Sequence, residues 1–244
     1  MSLPTNYRDP RTNGVPEQVF RKIAPEKLYH ATGNQIMPIN TLFQLMTEKG
    51  KRLESTWLIQ EIRRNFRAEG KEYSYNDMEQ LACKEPAFTC FIDPDAPEFA
   101  QPGDMPGKIR AYCERTGQNI PQTDGVLVRC IYESLSMKYR YAIAQIQENT
   151  GKKFEVLHLL GGGTKDTFLC QMTADALGFP VVAGPTEATA LGNIMLQLIA
   201  LGAIKDVAEG RKLIQKTEKV TTYYPQKIDA LDEKYRIFCD VIGK

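Results

Sequence analysis

The 244-residue sequence lacks an excess of charge of either sign and lacks a long hydrophobic run. Lys and Arg together number 31 and Asp and Glu 30, which leaves a net charge of +1. Nucleic acids and anionic membrane surfaces attract proteins through a positive excess, so we expect neither as a partner. The longest apolar run, residues 194–204, is interrupted by Gln197, whereas a membrane span needs about 20 apolar residues. We therefore also expect no transmembrane helix.

Paired cysteine motifs are also missing. The six cysteines form neither a CxxC pair nor a Cys/His zinc spacing, and a chain of this length does not need disulfides for stability. The first nine residues contain no apolar segment of the kind found in a secretory leader. We expect a cytoplasmic protein without a metal site. Hydrophobic residues at 42% and charged residues at 25% are typical of a folded globular chain.

The second half of the chain predicts alternating strands and helices. A long helix with one apolar face is expected from Asp124 to the glycine at 151, followed by a strand over residues 156–160 that is buried on both faces. Thr164 is expected to cap the next helix, and a second strand over 180–184 leads to a further helix capped by Thr186. Strand, helix and strand in this order favour a parallel α/β sheet.

The first half is richer in turns. Leu58, Ile59, Ile62 and Phe66 recur at helical spacing and Gly70 follows as a terminator. Asn76 with Glu79 indicates the start of a short helix, and a further helix is expected around residues 109–113. Residues 86–106 contain several prolines and are expected to form a long surface connection.

The turn Gly161-Gly162-Gly163 lies between a predicted strand and a predicted helix. Backbone N–H groups without Cβ obstruction at a helix start suit a phosphate or nucleotide, although glycines also occur simply where a chain turns sharply. The strict nucleotide motifs are absent, because Gly163 is followed by Thr164-Lys165-Asp166 rather than by Gly-Lys-Ser/Thr, and Asp166 stands where a dinucleotide fingerprint needs glycine. A second small-residue stretch, 183–193, would let a helix approach a neighbouring element or a flat ligand closely.

These two stretches carry a family resemblance. The segments 160–163, 171–176 and 182–193 resemble the C-terminal domain of FGGY carbohydrate kinases, most of all those of the rhamnulokinase type. Segments 57–61, 92–95, 101–106 and 128–135 support the match, and residues 7–12 and 38–45 resemble a stretch of the N-terminal domain of the same enzymes. The resemblance implies an α/β, actin-like ATPase (ribonuclease H-like) C-terminal domain over residues 52–244. Residues 1–51 would be a fragment of the sugar-binding N-terminal domain.

Rhamnulokinases transfer a phosphoryl group from ATP, with Mg²⁺, to L-rhamnulose. By resemblance, Gly162 and Gln60 fall where the family contacts ATP, and Gly161 and Gly163 complete the backbone nest. The family's Gln-Asn after the glycines is here Lys165-Asp166, which leaves the adenosine contacts open. The residues placed on the sugar side by resemblance are Tyr7, Arg8, Asp9 and Arg11, for which a solvated surface ion pair is the alternative.

The sequence also lacks the His-Asp-Thr-Ala block that contains the catalytic base of the family. Three explanations stay open: part of a longer enzyme, a truncated gene product, or a pseudokinase. We expect the chain by itself to be inactive, either as a nucleotide-binding or as a partner-binding kinase fragment. Cys113 and Cys130 coincide with a cysteine pair that can form a disulfide in a rhamnulokinase, and two buried free thiols are the alternative.

Overall fold

The computed structural model describes residues 57–243 and Phe20. Apart from Phe20, these residues belong to the second of the two compact units of the chain, Thr56–Lys244. The helices of this unit are α1 (Trp57–Ala68), α2 (Tyr75–Lys84), α3 (Met105–Arg115), α4 (Asp124–Thr150), α5 (Thr167–Leu177), α6 (Ala188–Ala200), α7 (Val207–Thr217) and α8 (Leu231–Val241). Its strands are β1 (Leu157–Leu159), β2 (Val181–Ala183) and β3 (Thr221–Tyr223). None of the helices in this described part has the length and apolar character needed to cross a bilayer.

The first helices begin and end largely where the sequence predicts. Helix α1 buries the apolar face that carries Ile62 and Phe66, and Gly70 after it has a positive φ of 81°. Helix α4 ends at Gly151, whose φ of 66° is the left-handed conformation that favours glycine. The predicted start of α2 was wrong: the capping box is formed by Ser74 and Asp77, because Asn76 already lies inside the helix.

The segment between α2 and α3 is not the surface connection that its prolines predicted. Cys90, Phe91, Ile92 and Phe99 are at most 2% exposed, and they pack into the helical core. Side chains supply the partners that a buried irregular backbone needs. The Gln118 amide exchanges two hydrogen bonds with the backbone of Phe91, at 2.7 and 2.8 Å.

The sheet has the order β1-β2-β3. β1 and β2 are parallel, with Leu157 opposite Val181, which confirms the predicted strand-helix-strand unit. β3 runs antiparallel to β2 and was not predicted. The prediction that β1 is buried on both faces was wrong, because His158 is exposed and its neighbours are only half-buried. Helix α5 packs against α4 and β2, so the helical core supports one side of the sheet.

Candidate nucleotide site

The two glycine-containing turns of the sequence lie side by side in the structure. One follows β1 and the other follows β2, so both leave the carboxyl edge of a pair of parallel strands. The Gly184 N–H donates to the Leu159 carbonyl at 2.9 Å, and the Gly161 N–H donates to the Pro185 carbonyl at 3.2 Å. The crevice outside the carboxyl ends of parallel strands is where α/β proteins bind ligands. The turns therefore form one candidate site.

The three glycines of the first turn differ in what the backbone requires of them. Gly161 has a φ of 86°, which an L side chain rarely adopts. Gly162 and Gly163 have no such φ, and a Cβ added to either would meet no atom of the described residues within 4 Å. Backbone conformation thus accounts for Gly161, whereas neither backbone conformation nor packing within the described residues accounts for Gly162 or Gly163. The open space over Gly162 and Gly163 is the geometry that lets a ligand approach backbone N–H groups closely.

Helix α5 is capped by Asp166, so the prediction that Thr164 caps it was wrong. Residues Gly162–Lys165 form a turn of 3₁₀-helix, which moves the start of α5 to Thr167. The Asp166 carboxylate accepts from the Leu169 N–H at 2.9 Å. The Thr164 hydroxyl instead donates to the Gly161 carbonyl at 2.7 Å and lies 3.2 Å from the Thr186 hydroxyl. Thr164 therefore holds the turn closed and links it to its neighbour.

The predicted cap at Thr186 was also wrong. Helix α6 begins at Ala188 after Glu187, which makes no capping hydrogen bond through its side chain. The Thr186 hydroxyl is directed to Thr164 instead. Both threonines that the sequence suggested as helix caps thus join the two turns to each other.

The buried Tyr132 of α4 supports the turn through a hydrogen bond to Asp166. The Tyr132 hydroxyl, on α4, donates to Asp166 Oδ2 at 2.8 Å, and the tyrosine ring packs edge-on against Phe168. Burial raises the pKa of Asp166, and the hydrogen bonds from Leu169 and Tyr132 oppose that rise. Burial, followed by the Asp166 charge, also raises the pKa of Tyr132. The Asp166 carboxylate is therefore the acceptor of the pair and Tyr132 the donor.

The acidic surroundings extend to Glu79 on α2. Burial and the nearby Asp166 charge raise the pKa of Glu79, and its carboxylate lies 3.5 Å from the Thr167 hydroxyl. On the outer side of the turn, Lys165 is exposed. Sequence reasoning noted Lys165-Asp166 only as a departure from the family pattern and missed that Asp166 and Tyr132 anchor the turn. The sequence signal for the Asp166 cap was its spacing: Asp166 stands three residues before Leu169, as a capping side chain does before the backbone N–H that it accepts from.

The remaining predicted site residues are Gln60, the four sugar-side candidates and two cysteines. Gln60 is half-buried on α1, a helix that packs on α3 and α4, so its role in nucleotide binding stays a prediction. The sugar-side candidates Tyr7, Arg8, Asp9 and Arg11 lie outside the described residues. Cys113 and Cys130 are buried free thiols in this structure, and the disulfide between them stays a prediction.

Comparison with known proteins identifies the fold. The crystal structure of xylulose kinase from Rhodospirillum rubrum superposes with a TM-score of 0.54 at 20% identity, over 76% of this chain and 37% of that one. The described unit thus has the α/β fold of an actin-like ATPase. The FGGY family of carbohydrate kinases, C-terminal domain, matches residues 31–201. The chain belongs to this family of carbohydrate kinases.

Three curated relatives are rhamnulokinases. That of Bacteroides thetaiotaomicron is 40% identical over 185 residues, which are 76% of this chain and 37% of the relative. That of Enterococcus faecalis is 40% identical over 191 residues, 77% of this chain and 38% of the relative. That of Bacillus subtilis is 37% identical, over 73% of this chain and 36% of the relative. The chain thus spans little more than a third of the length of the curated relatives it matches.

Proposed function

We propose that this chain is the nucleotide-binding part of an ATP-dependent, cytoplasmic sugar kinase that converts L-rhamnulose to L-rhamnulose 1-phosphate. Family membership and the named rhamnulokinase relatives support the reaction class and the sugar. The observation that carries nucleotide binding is the open cradle over Gly162 and Gly163 at the carboxyl edge of two parallel strands. A backbone nest of this kind binds phosphate oxygens without a basic surface.

The residues of the cradle suggest how phosphates would be held. The N–H groups of Gly162 and Gly163 would donate to phosphate oxygens, and the exposed Lys165 would add a positive charge beside them. Mg²⁺, when bound with ATP, would neutralise phosphate charge during transfer. Gln60 and the sugar-side residues Tyr7, Arg8, Asp9 and Arg11 complete the proposed set.

The test is thermal unfolding of the full chain with millimolar ATP or ADP and Mg²⁺. Because a ligand that binds the native state stabilises it, we expect the melting temperature to rise. Gly162→Ala and Gly163→Ala should leave the ligand-free melting temperature nearly unchanged, since the added methyl groups meet no described atom. They should weaken nucleotide binding by about tenfold, since each methyl group would enter the cradle.

Gly178→Ala is the matched control. Gly178 has a φ of 74° at the far end of α5, and eleven helical residues span about 16 Å. This variant should lose stability because alanine is strained at that φ, and it should keep the full nucleotide-induced shift. Absence of any shift for the unmodified chain would contradict nucleotide binding, and equal binding by both cradle variants would contradict its placement.

Partner binding without turnover is the second candidate function, and helix α6 favours it. None of the α6 side chains is buried in the described unit, and Ile194 and Leu196 are 52% and 58% exposed. An apolar helix face of this kind is typical of a surface that another protein segment covers.

We expect no rhamnulose-dependent ADP release from the chain alone, because the base block of the family is absent from the sequence. Turnover by a preparation of confirmed 27.6 kDa mass would contradict this expectation.

A further inference from the structure

Three buried cysteines from three separate parts of the chain meet in the helical core. Cys90 lies in the segment between α2 and α3, Cys113 on α3 and Cys130 on α4. Their sulfur atoms lie within 4.8 Å of one another, and the three side chains are 2%, 0% and 2% exposed. The family resemblance drew attention only to Cys113 and Cys130, whereas the structure adds a third thiol.

Hydrogen bonds to the irregular backbone hold Cys90 in place. The Ile92 N–H donates to the Ser134 hydroxyl at 2.9 Å, and the Phe88 N–H donates to the Glu133 carboxylate at 2.8 Å. With the Gln118 contacts to Phe91, the segment on both sides of Cys90 is fixed to side chains from α4 and the α3–α4 connection. The three sulfur atoms are therefore positioned before any ligand arrives.

The spacing suits a single centre bound by three sulfurs. A zinc–sulfur bond is about 2.3 Å, which places three sulfurs on one ion about 4 Å apart. The present spacing would have to shrink by less than about 1 Å. Structural zinc takes four ligands, while the cluster found among the described residues supplies three, and its burial leaves little access for a water as the fourth. Three-coordinate chemistry fits better.

The charge around the three cysteines determines which kind of three-coordinate centre they can stabilise. The thiols lie in an apolar cluster with Ile92, Ile109 and Leu127. A charged side chain beside the Cys90 segment is the Glu133 carboxylate, which accepts from the Phe88 N–H at 2.8 Å and is paired with Arg129 at 2.7 Å. Three thiolates around a monovalent or divalent ion would leave a net negative charge in this core, which is costly without a cation. Three thiolates around a trivalent centre are neutral.

We propose that Cys90, Cys113 and Cys130 form a three-coordinate site for a trivalent, thiol-binding metalloid such as arsenic(III). Arsenous acid carries three hydroxyl groups on arsenic. Each arsenic–oxygen bond is replaced by an arsenic–sulfur bond, and each hydroxyl leaves as water with the proton of one thiol. Three waters are released, the oxidation state of arsenic does not change, and no oxidant or reductant is consumed.

A thiolate is the nucleophile in such exchange reactions, so one of the three thiols first loses its proton. Entry requires the hydrogen bonds that hold the Cys90 segment to break transiently; because this segment lies outside regular helix and strand, that opening does not require α3 or α4 to unfold.

The experiment uses the full chain, reduced with a phosphine that does not compete as a thiol, and sodium arsenite as the probe. We expect one arsenic per chain in native mass spectra, with the loss of three protons. We also expect a rise in melting temperature of about 5 to 10 °C at a concentration about 100 times the dissociation constant. Cys90→Ala, Cys113→Ala and Cys130→Ala should each weaken binding at least tenfold.

Cys83→Ser is the matched control, because Cys83 is exposed and outside the cluster, and it should bind as the unmodified chain does. X-ray absorption of the arsenic complex should show three sulfur neighbours and no oxygen, a measurement that needs no variant to fold. Unchanged binding by Cys90→Ala would overturn the proposal and leave a two-thiol site. Failure of the reduced chain to bind arsenite would also overturn it, as would zinc binding of equal strength.

Discussion

The hydrogen bond between Tyr132 and Asp166 makes a prediction in which the sign of a mutational effect reverses. The Tyr132 side chain is 1% exposed, and its hydroxyl donates to an Asp166 carboxylate that also caps α5. Asp166→Ala removes the cap, which costs about 1 kcal/mol. It also leaves a buried hydroxyl without an acceptor, which costs about 1–3 kcal/mol more. We therefore expect a loss of about 2–4 kcal/mol in the free energy of unfolding.

Tyr132→Phe in the unmodified chain removes one hydrogen bond to a charged group, a loss of about 1.5–3 kcal/mol. In the Asp166→Ala background the same substitution removes a hydroxyl that has already lost its acceptor. It should then be neutral or stabilising, so the double variant should be no less stable than Asp166→Ala alone. The coupling energy of this double-mutant cycle should be about 2 kcal/mol or more.

Urea unfolding of the four proteins, followed by circular dichroism near neutral pH, measures each free energy. A control cycle combines Tyr132→Phe with Thr173→Ala in place of Asp166→Ala, because the Thr173 hydroxyl donates to the Leu169 carbonyl of its own helix at 2.7 Å rather than to the Tyr132 hydroxyl. That control cycle should be additive. Additive losses for Tyr132 and Asp166 would refute the reasoning, because they would show that the two side chains do not depend on each other.

Two further predictions concern α4. Burial raises the pKa of Glu133 to about 7 from 4.5 despite its pairing with Arg129, so its contribution to stability is full below pH 4.5 and is lost as the pH rises through 7. By linkage this loss is about 3 kcal/mol of the free energy of unfolding. Urea unfolding at a series of pH values should show this loss for the unmodified chain and not for Glu133→Gln. The same pH profile for the unmodified chain and the variant would contradict the assignment. Gly125→Ala should cost about 1–3 kcal/mol in the free energy of unfolding, because the added Cβ would lie 2.8 Å from the Leu81 carbonyl and 2.7 Å from the Glu85 side chain. The cost should persist in a Glu85→Ala background, where the backbone carbonyl is still in place. A cost that disappears there would show that only the Glu85 side chain obstructs the Cβ.

The elements that the sequence predicts correctly are those whose signals are local and repeated. The apolar face of α1 extends over several turns, and a glycine with positive φ follows α1 and α4. The parallel pairing of β1 and β2 follows from the helix between them. β3 was missed because three largely exposed residues, Thr221–Tyr223, pair with a strand about 40 residues earlier in the sequence, and no local pattern marks such a partner.

Errors at the candidate site have a different cause. Thr164 and Asp166 are both suitable caps for a helix that starts near residue 167, and the sequence does not determine which one is used. The choice depends on Tyr132, which lies 34 residues before Asp166, and on Thr186, which lies 22 residues after Thr164. Both partners belong to other elements, Tyr132 to α4 and Thr186 to the turn after β2, so no local sequence pattern identifies them. The position of the glycine turn could be predicted from the sequence, but the side chains that fix its conformation could not.

The dependence of the glycine turn on distant side chains also indicates where loss of function should arise. The proposed phosphate cradle consists of backbone N–H groups, to which Lys165 alone adds a side chain, so its geometry depends largely on residues that do not touch the ligand. In this chain those residues are Thr164, Asp166 and Tyr132, which hold the turn from its two ends and from the core. Substitutions at these three positions should therefore weaken nucleotide binding even where Gly162 and Gly163 are intact, and the melting-temperature shift with ATP measures this directly. A Tyr132→Phe protein that is less stable and yet keeps the full shift would show that the cradle does not need its support.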